Sequence, residues 1–152
     1  TKSIAAIADA VLRVENDYAI LDFEGEPART LEERRAKQSP LRDVAGMVRS
    51  FHYAATVALR SEAVSAADRA LLEPWAEAWF RWTSSAFLCA YLRRARERGP
   101  AVFLPENPTE LCALFRLHSV DKCSYELSYE LNNRPAWVGV PLTGLLSLIK
   151  NV

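Results

Sequence analysis

The sequence predicts a mainly α-helical domain that carries one small β-hairpin near its N-terminus. Two observations support this: long helix-favouring stretches end at proline and glycine signals, and a single pair of short β-type runs flanks Glu15-Asn16-Asp17. No internal repeat, linker or low-complexity tract interrupts the 152 residues, so one domain over 1–152 is the economical organisation.

In chain order, Val11-Leu12-Arg13-Val14 and Tyr18-Ala19-Ile20-Leu21 form the expected hairpin, spanning 11–22. Glu24-Gly25-Glu26-Pro27 then breaks any strand, because glycine frees the backbone and proline removes a donor. From 40 to 150 the chain reads as helical. Ser39-Pro40 supplies an N-cap and a first-turn proline for a helix to about Arg60. A long helix runs from about Ala67 to Arg98, with a bend expected near Pro74 and a stop at Gly99-Pro100. Asn107-Pro108-Thr109-Glu110 combines an N-cap, a first-turn proline and a capping-box acid, opening a helix to about Asn132. Pro141 to Lys150 suits a last short helix.

Composition narrows the function classes. Half of the residues are apolar and a quarter charged, the balance of a globular chain with a core. The 19 basic and 19 acidic residues cancel, so no long-range field favours nucleic acid or an anionic membrane. No apolar run reaches the roughly 18–20 residues of a membrane span, and the first residues are too short and too weakly apolar for a secretory signal; a cytoplasmic location is expected. Cys89, Cys112 and Cys123 have neither C-x-x-C nor metal-ligand spacing and are expected to be reduced.

A few residue sets can carry chemistry. Asp22 and Glu24, two apart after an apolar strand, can place both carboxylates on one side of extended chain and so hold a divalent cation, although surface or capping acids are commoner. Trp75, Trp79 and Trp82 follow i, i+4, i+7; the stripe can face a sugar ring, but core packing is the expected role. Tyr125, Tyr129 and Asn132 repeat that spacing with a polar end on each side chain, which suits either a half-buried helix face or a carbohydrate surface. Lys122 can join that face. His52 and His118 lack partners at ligand or triad spacing and receive no catalytic role. No glycine-rich phosphate cradle is present.

Two segments together resemble the maltokinases, within the aminoglycoside-phosphotransferase-like branch of the protein-kinase-like fold. The first runs from Ile20-Leu21-Asp22-Phe23-Glu24-Gly25-Glu26-Pro27 through Ser39-Pro40-Leu41-Arg42-Asp43 to Arg49-Ser50-Phe51. The second holds Tyr125-Glu126-Leu127, Tyr129-Glu130-Leu131-Asn132-Asn133-Arg134-Pro135 and Trp137-Val138. The resemblance implies a helical kinase-like C-lobe with its hairpin, transfer of the ATP γ-phosphoryl group to maltose with Mg²⁺, and a link to glycogen and trehalose metabolism, in some members by fusion to a trehalose synthase. It also implies that Asp22, assisted by Glu24, holds the metal, and that Tyr125, Tyr129, Asn132 and Trp137 line the sugar pocket.

The chain departs from this family at its start. Where such kinases carry His-Gly-Asp-x-His-x-x-Gln, residues 1–10 form an atypical segment. Aligned without gaps, Ala5 stands at the catalytic aspartate and Ala10 at the glutamine. Loss of a general base slows such chemistry by about 10²–10⁴-fold, and phosphoryl transfer also depends on a nucleotide-binding lobe. The expectation is therefore a sugar-kinase C-lobe that is inactive alone, with a non-catalytic helical interaction or carbohydrate-binding module as the alternative. Its partners would be maltose, or a second chain or second copy at the seam where the other lobe docks.

Overall fold

The structure, a computed structural model, describes residues 11–20, 30–97 and 103–150. Strands β1 (Val11–Val14) and β2 (Asp17–Ile20) pair antiparallel, with Val11 opposite Ile20 and Val14 opposite Asp17. The turn is therefore the two residues Glu15-Asn16 rather than three, and Glu15 takes the left-handed φ of 53° that a tight hairpin needs. Helix α1 (Leu31–Arg35) follows, closed by a capping box in which Thr30 and Glu33 each satisfy the other's backbone N–H.

These elements belong to one compact unit, residues 1–38, and everything after belongs to a second, residues 39–152. The second unit contains α2 (Leu41–Leu59), α3 (Ala66–Arg96), α4 (Pro108–Asn133), a 3₁₀ turn (Pro135–Trp137) and α5 (Gly139–Lys150). The mainly α fold matches the sequence expectation. Helix α2 is the central element, packing on α3 along one side and α4 along another, while α5 closes against α4. Leu41 and Val44 of α2, Leu104 before α4 and Leu111 of α4 form the buried apolar cluster, with Phe87, Leu88, Tyr91 and Leu92 of α3 laid on it.

Boundaries follow local chemistry. The Ser39 hydroxyl accepts from the Leu41 N–H at 3.3 Å, and Ser65 caps α3 by accepting from Asp68 N–H at 3.1 Å. At α4, Asn107 Oδ1 accepts from Thr109 N–H at 2.8 Å with Pro108 in the first turn; Glu110 adds negative charge there. Pro74 lies inside α3, which continues through it. The proline removes the N–H that would reach the Ala70 carbonyl, and Ala70 is exposed, so water can satisfy that oxygen.

One expectation is overturned. The tryptophan stripe is not core: Trp75, Trp79 and Trp82 are 71%, 48% and 79% exposed. Helix α3 offers two apolar stripes a fraction of a turn apart. The one turned inwards carries Phe80, Ser84, Phe87 and Tyr91, which are buried or half-buried. Only Trp79 keeps an edge contact with α2, 6.5 Å from the Phe51 ring.

Truncating the α4 cap by Asn107→Ala is expected to destabilise the helical unit by about 1 kcal/mol, and Asn107→Gly by a few tenths, because glycine leaves the cap backbone solvated. Urea denaturation of the two variants checks the order.

Candidate functional site

The polar chemistry of the helical unit gathers where α2, α4 and α5 meet. On α2, Arg49, His52 and Tyr53 stand at i, i+3, i+4 and share one face; on α4, Ser119, Cys123, Glu126 and Glu130 form the inward line. Arg49 is only 5% exposed. Its Nε donates to Glu126 Oε2 at 2.9 Å, and Nη2 lies 2.9 Å from the same oxygen outside hydrogen-bonding geometry, so that second contact is ionic. Nη1 is 3.2 Å from His52 Nδ1.

An arginine carries only donors, so His52 must accept through Nδ1 and hold its proton on Nε2. Burial first, and the Arg49 charge second, lower its pKa to about 4. The ring also stands edge-on to Phe80 of α3, 5.3 Å away. Glu126 is pushed up by burial, and the Arg49 charge and hydrogen bond hold it back.

Gly144 of α5 completes the enclosure. A Cβ there would run into Arg49 Nη1 and lie 2.8 Å from its Cζ, so α5 can close over the guanidinium only without a side chain at this position. Arg116 of α4 donates to the Leu148 carbonyl and ties the far end of the same helix pair.

One turn along α4, Glu130 is 2% exposed and receives three donors. Tyr53 Oη donates to Oε1 at 3.2 Å; Arg134 donates through Nη2 to Oε1 at 2.6 Å and through Nε to Oε2 at 2.9 Å. The Tyr53 hydroxyl is driven up by burial and by the charges of Glu126 and Glu130, against the pull of Arg49. The bidentate pair fixes the plane of the Arg134 guanidinium, whose side chain remains 40% exposed.

Aromatic rings flank that plane. The guanidinium carbon lies 5.3 Å from the Tyr129 centroid and 5.4 Å from the Trp137 centroid. Trp137 reaches it because α4 ends at Arg134 (φ −145°, ψ 69°) and the 3₁₀ turn folds back, with Trp137 N–H donating to the Arg134 carbonyl at 2.8 Å.

Of the residues expected from sequence to face a ligand, Tyr129 and Trp137 are thus brought together on Arg134. Tyr125, a turn earlier, instead meets Lys122, whose Nζ is 5.0 Å from its centroid. Asn132 is exposed, its amide donating back to the Ser128 carbonyl at 2.7 Å. Asp22, Glu24 and Ala5 lie outside the described residues. Among those described, no group of three His, Cys, Asp or Glu is placed to hold a metal. The three cysteines are free thiols, and burial pushes buried Cys123 up to about 11. No described helix is long and apolar enough to cross a membrane.

Sequence reading missed Arg49, Glu126, Glu130 and Arg134 as a set. A signal existed: Glu126, Glu130 and Arg134 recur every four residues, a line of charge that would be inward only if partnered. Beside the network, a groove of about 430 Å³ opens between α2, α3 and α5, lined in part by His52, Arg60, Glu73 and Thr143.

Known proteins similar to this chain include a sugar kinase. The glucosamine kinase of Streptacidiphilus jiangxiensis is 29% identical over 141 residues, a match taking in 91% of this chain. This chain is similar to a sugar kinase. It spans 29% of that kinase's length, and no protein-family model matches it.

Two outcomes are expected. Gly144→Ala should displace the Arg49 guanidinium and destabilise the unit by about 1–3 kcal/mol, measured by urea denaturation. His52 stays neutral in the fold down to about pH 4, whereas an unfolded histidine binds a proton near 6.5. Its stabilisation is therefore whole above about 6.5 and lost as pH falls towards 4, on the order of 2–3 kcal/mol across the window. Glu126 works in the opposite sense. The difference in stability between wild type and His52→Gln, followed from pH 7 to pH 4, isolates the histidine part and should narrow as the acid end is reached.

Proposed function

We propose that this chain is the acceptor-side, C-terminal lobe of a sugar kinase of the maltokinase type. The observation that carries the reading is the surface built on Glu130: one flat guanidinium, held edge-on by a buried carboxylate and flanked by Tyr129 and Trp137. Aromatic faces suit the C–H surface of a sugar ring, and the Arg134 Nη1 donors, unbonded among the described residues, suit its hydroxyls. Tyr125 and Asn132 extend the same face along α4. The similarity to a glucosamine kinase supports sugar as the substrate class; the two motif-bearing segments support maltose within it.

In this reading the lobe binds and orients the acceptor hydroxyl. The phosphoryl donor would be ATP, with Asp22 and Glu24 as the carboxylates that would hold Mg²⁺, which neutralises charge on the transferring phosphate. Ala5 at the position of the catalytic aspartate means that these residues alone do not deprotonate the acceptor, so the chain by itself is catalytically silent.

Calorimetric titration with maltose, glucosamine and glucose tests the proposal. Saturable binding that prefers maltose is expected, weakened about tenfold or more by Trp137→Ala or Arg134→Lys, since lysine cannot reproduce the bidentate fork. A preference for glucosamine would move the substrate to that of the relative. Absence of binding to all three would overturn the sugar-lobe reading.

A further inference from the structure

The face of α3 opposite its contact with α2 is apolar and open to solvent. Leu71, Trp75, Ala78, Trp82, Ser85 and Cys89 are all exposed and follow one another at spacings of 4, 3, 4, 3 and 4. That alternation is the 3.5-residue repeat by which one helix seats against another with a shallow crossing, and it extends for about 27 Å along the axis at 1.5 Å per residue. Leu71, Trp75 and Trp82 are 70%, 71% and 79% exposed. With each indole worth about 150–250 Å², they leave roughly 500 Å² of apolar surface in water, the upper range for the largest patch on a monomer.

Charge along α3 is polarised. At its start the outer face carries exposed Asp68, seven residues before Trp75, while Glu73 and Glu77 turn to the groove beside α2 and Arg69 turns back to the Leu59 carbonyl. At its end the same face carries exposed Arg93 and Arg96, four and seven residues after Cys89, while Arg81 is paired with Glu77 and Arg94 with Glu97. A parallel partner of the same sequence would place like charges together. An antiparallel one sets the acidic end of each copy against the basic end of the other and opposes the two helix dipoles.

We propose that this outer face of α3 is a self-association surface, on which a second copy of the chain lays its own α3 antiparallel about a two-fold axis. The two copies together cover about 1,000 Å², the lower bound for a specific interface, so the dimer is a weak one of micromolar affinity. The surface is built from residues other than the Glu130–Arg134 cluster, and the proposal stands or falls independently of sugar binding.

Sedimentation velocity on the full chain, from about 1 µM to about 500 µM, tests it across the affinity range expected for such an area. Wild type should pass from monomer to dimer, and Trp82→Glu, at an exposed position and checked for native circular dichroism, should weaken association at least tenfold. The charge variants give the orientation. Asp68→Arg and Arg93→Glu/Arg96→Glu should each associate more weakly than wild type alone, and an equimolar mixture should regain the wild-type affinity. Wild type that stays monomeric throughout, or a mixture that fails to recover, overturns the proposal.

Discussion

The helical unit is organised around one buried cation. The Arg49 guanidinium lies where α2, α4 and α5 converge, and each helix answers it differently: α4 with the Glu126 carboxylate, α2 with the neutral His52 nitrogen, α5 with the bare backbone at Gly144. Taking a charge out of water costs several kcal/mol unless it is paired, and removing one member of such a pair commonly destabilises by about 3–5 kcal/mol. The arrangement therefore specifies how the three helices meet more than it adds to stability. An apolar patch would tolerate a rotation of α5 by part of a turn; a planar ion opposite a glycine does not.

The same carboxylate line joins interior to surface. Glu126 and Glu130 are one turn apart on α4, the first meeting Arg49 inside and the second meeting Arg134 at the edge. Tyr53, donating to Glu130 from α2, ties the second pair to the helix that carries the first. The aromatic surface around Arg134 thus inherits its rigidity from the core, and the proposed sugar face would depend on that rigidity.

Much of the fold was legible in the sequence because its punctuation is local. Asn107-Pro108, Ser39-Pro40 and the short hairpin runs act within a few residues of themselves, and the elements begin and end close to where those signals stand. The error at Trp75, Trp79 and Trp82 has a different origin. Periodicity says that a helix has an apolar stripe, but when Phe80, Phe87 and Tyr91 supply a second one, only tertiary packing chooses between them. The site was half legible for the same reason. Tyr129 and Trp137 announced themselves by type, whereas Arg134 looked like a helix-ending residue, and its partnership with buried Glu130 depends on where α2 lies.

The double grip of Glu130 on Arg134 also determines how the end of α4 moves. Arg134 is simultaneously the last hydrogen-bond donor to the helix, through its N–H to the Glu130 carbonyl at 2.8 Å, and the acceptor that folds Trp137 back. Helix terminus, return turn and aromatic flank are consequently one mechanical segment. Local opening at this end cannot fray residue by residue from Asn133 outwards, as an ordinary helix terminus does; residues 129–137 open and close together, as a single small cooperative unit.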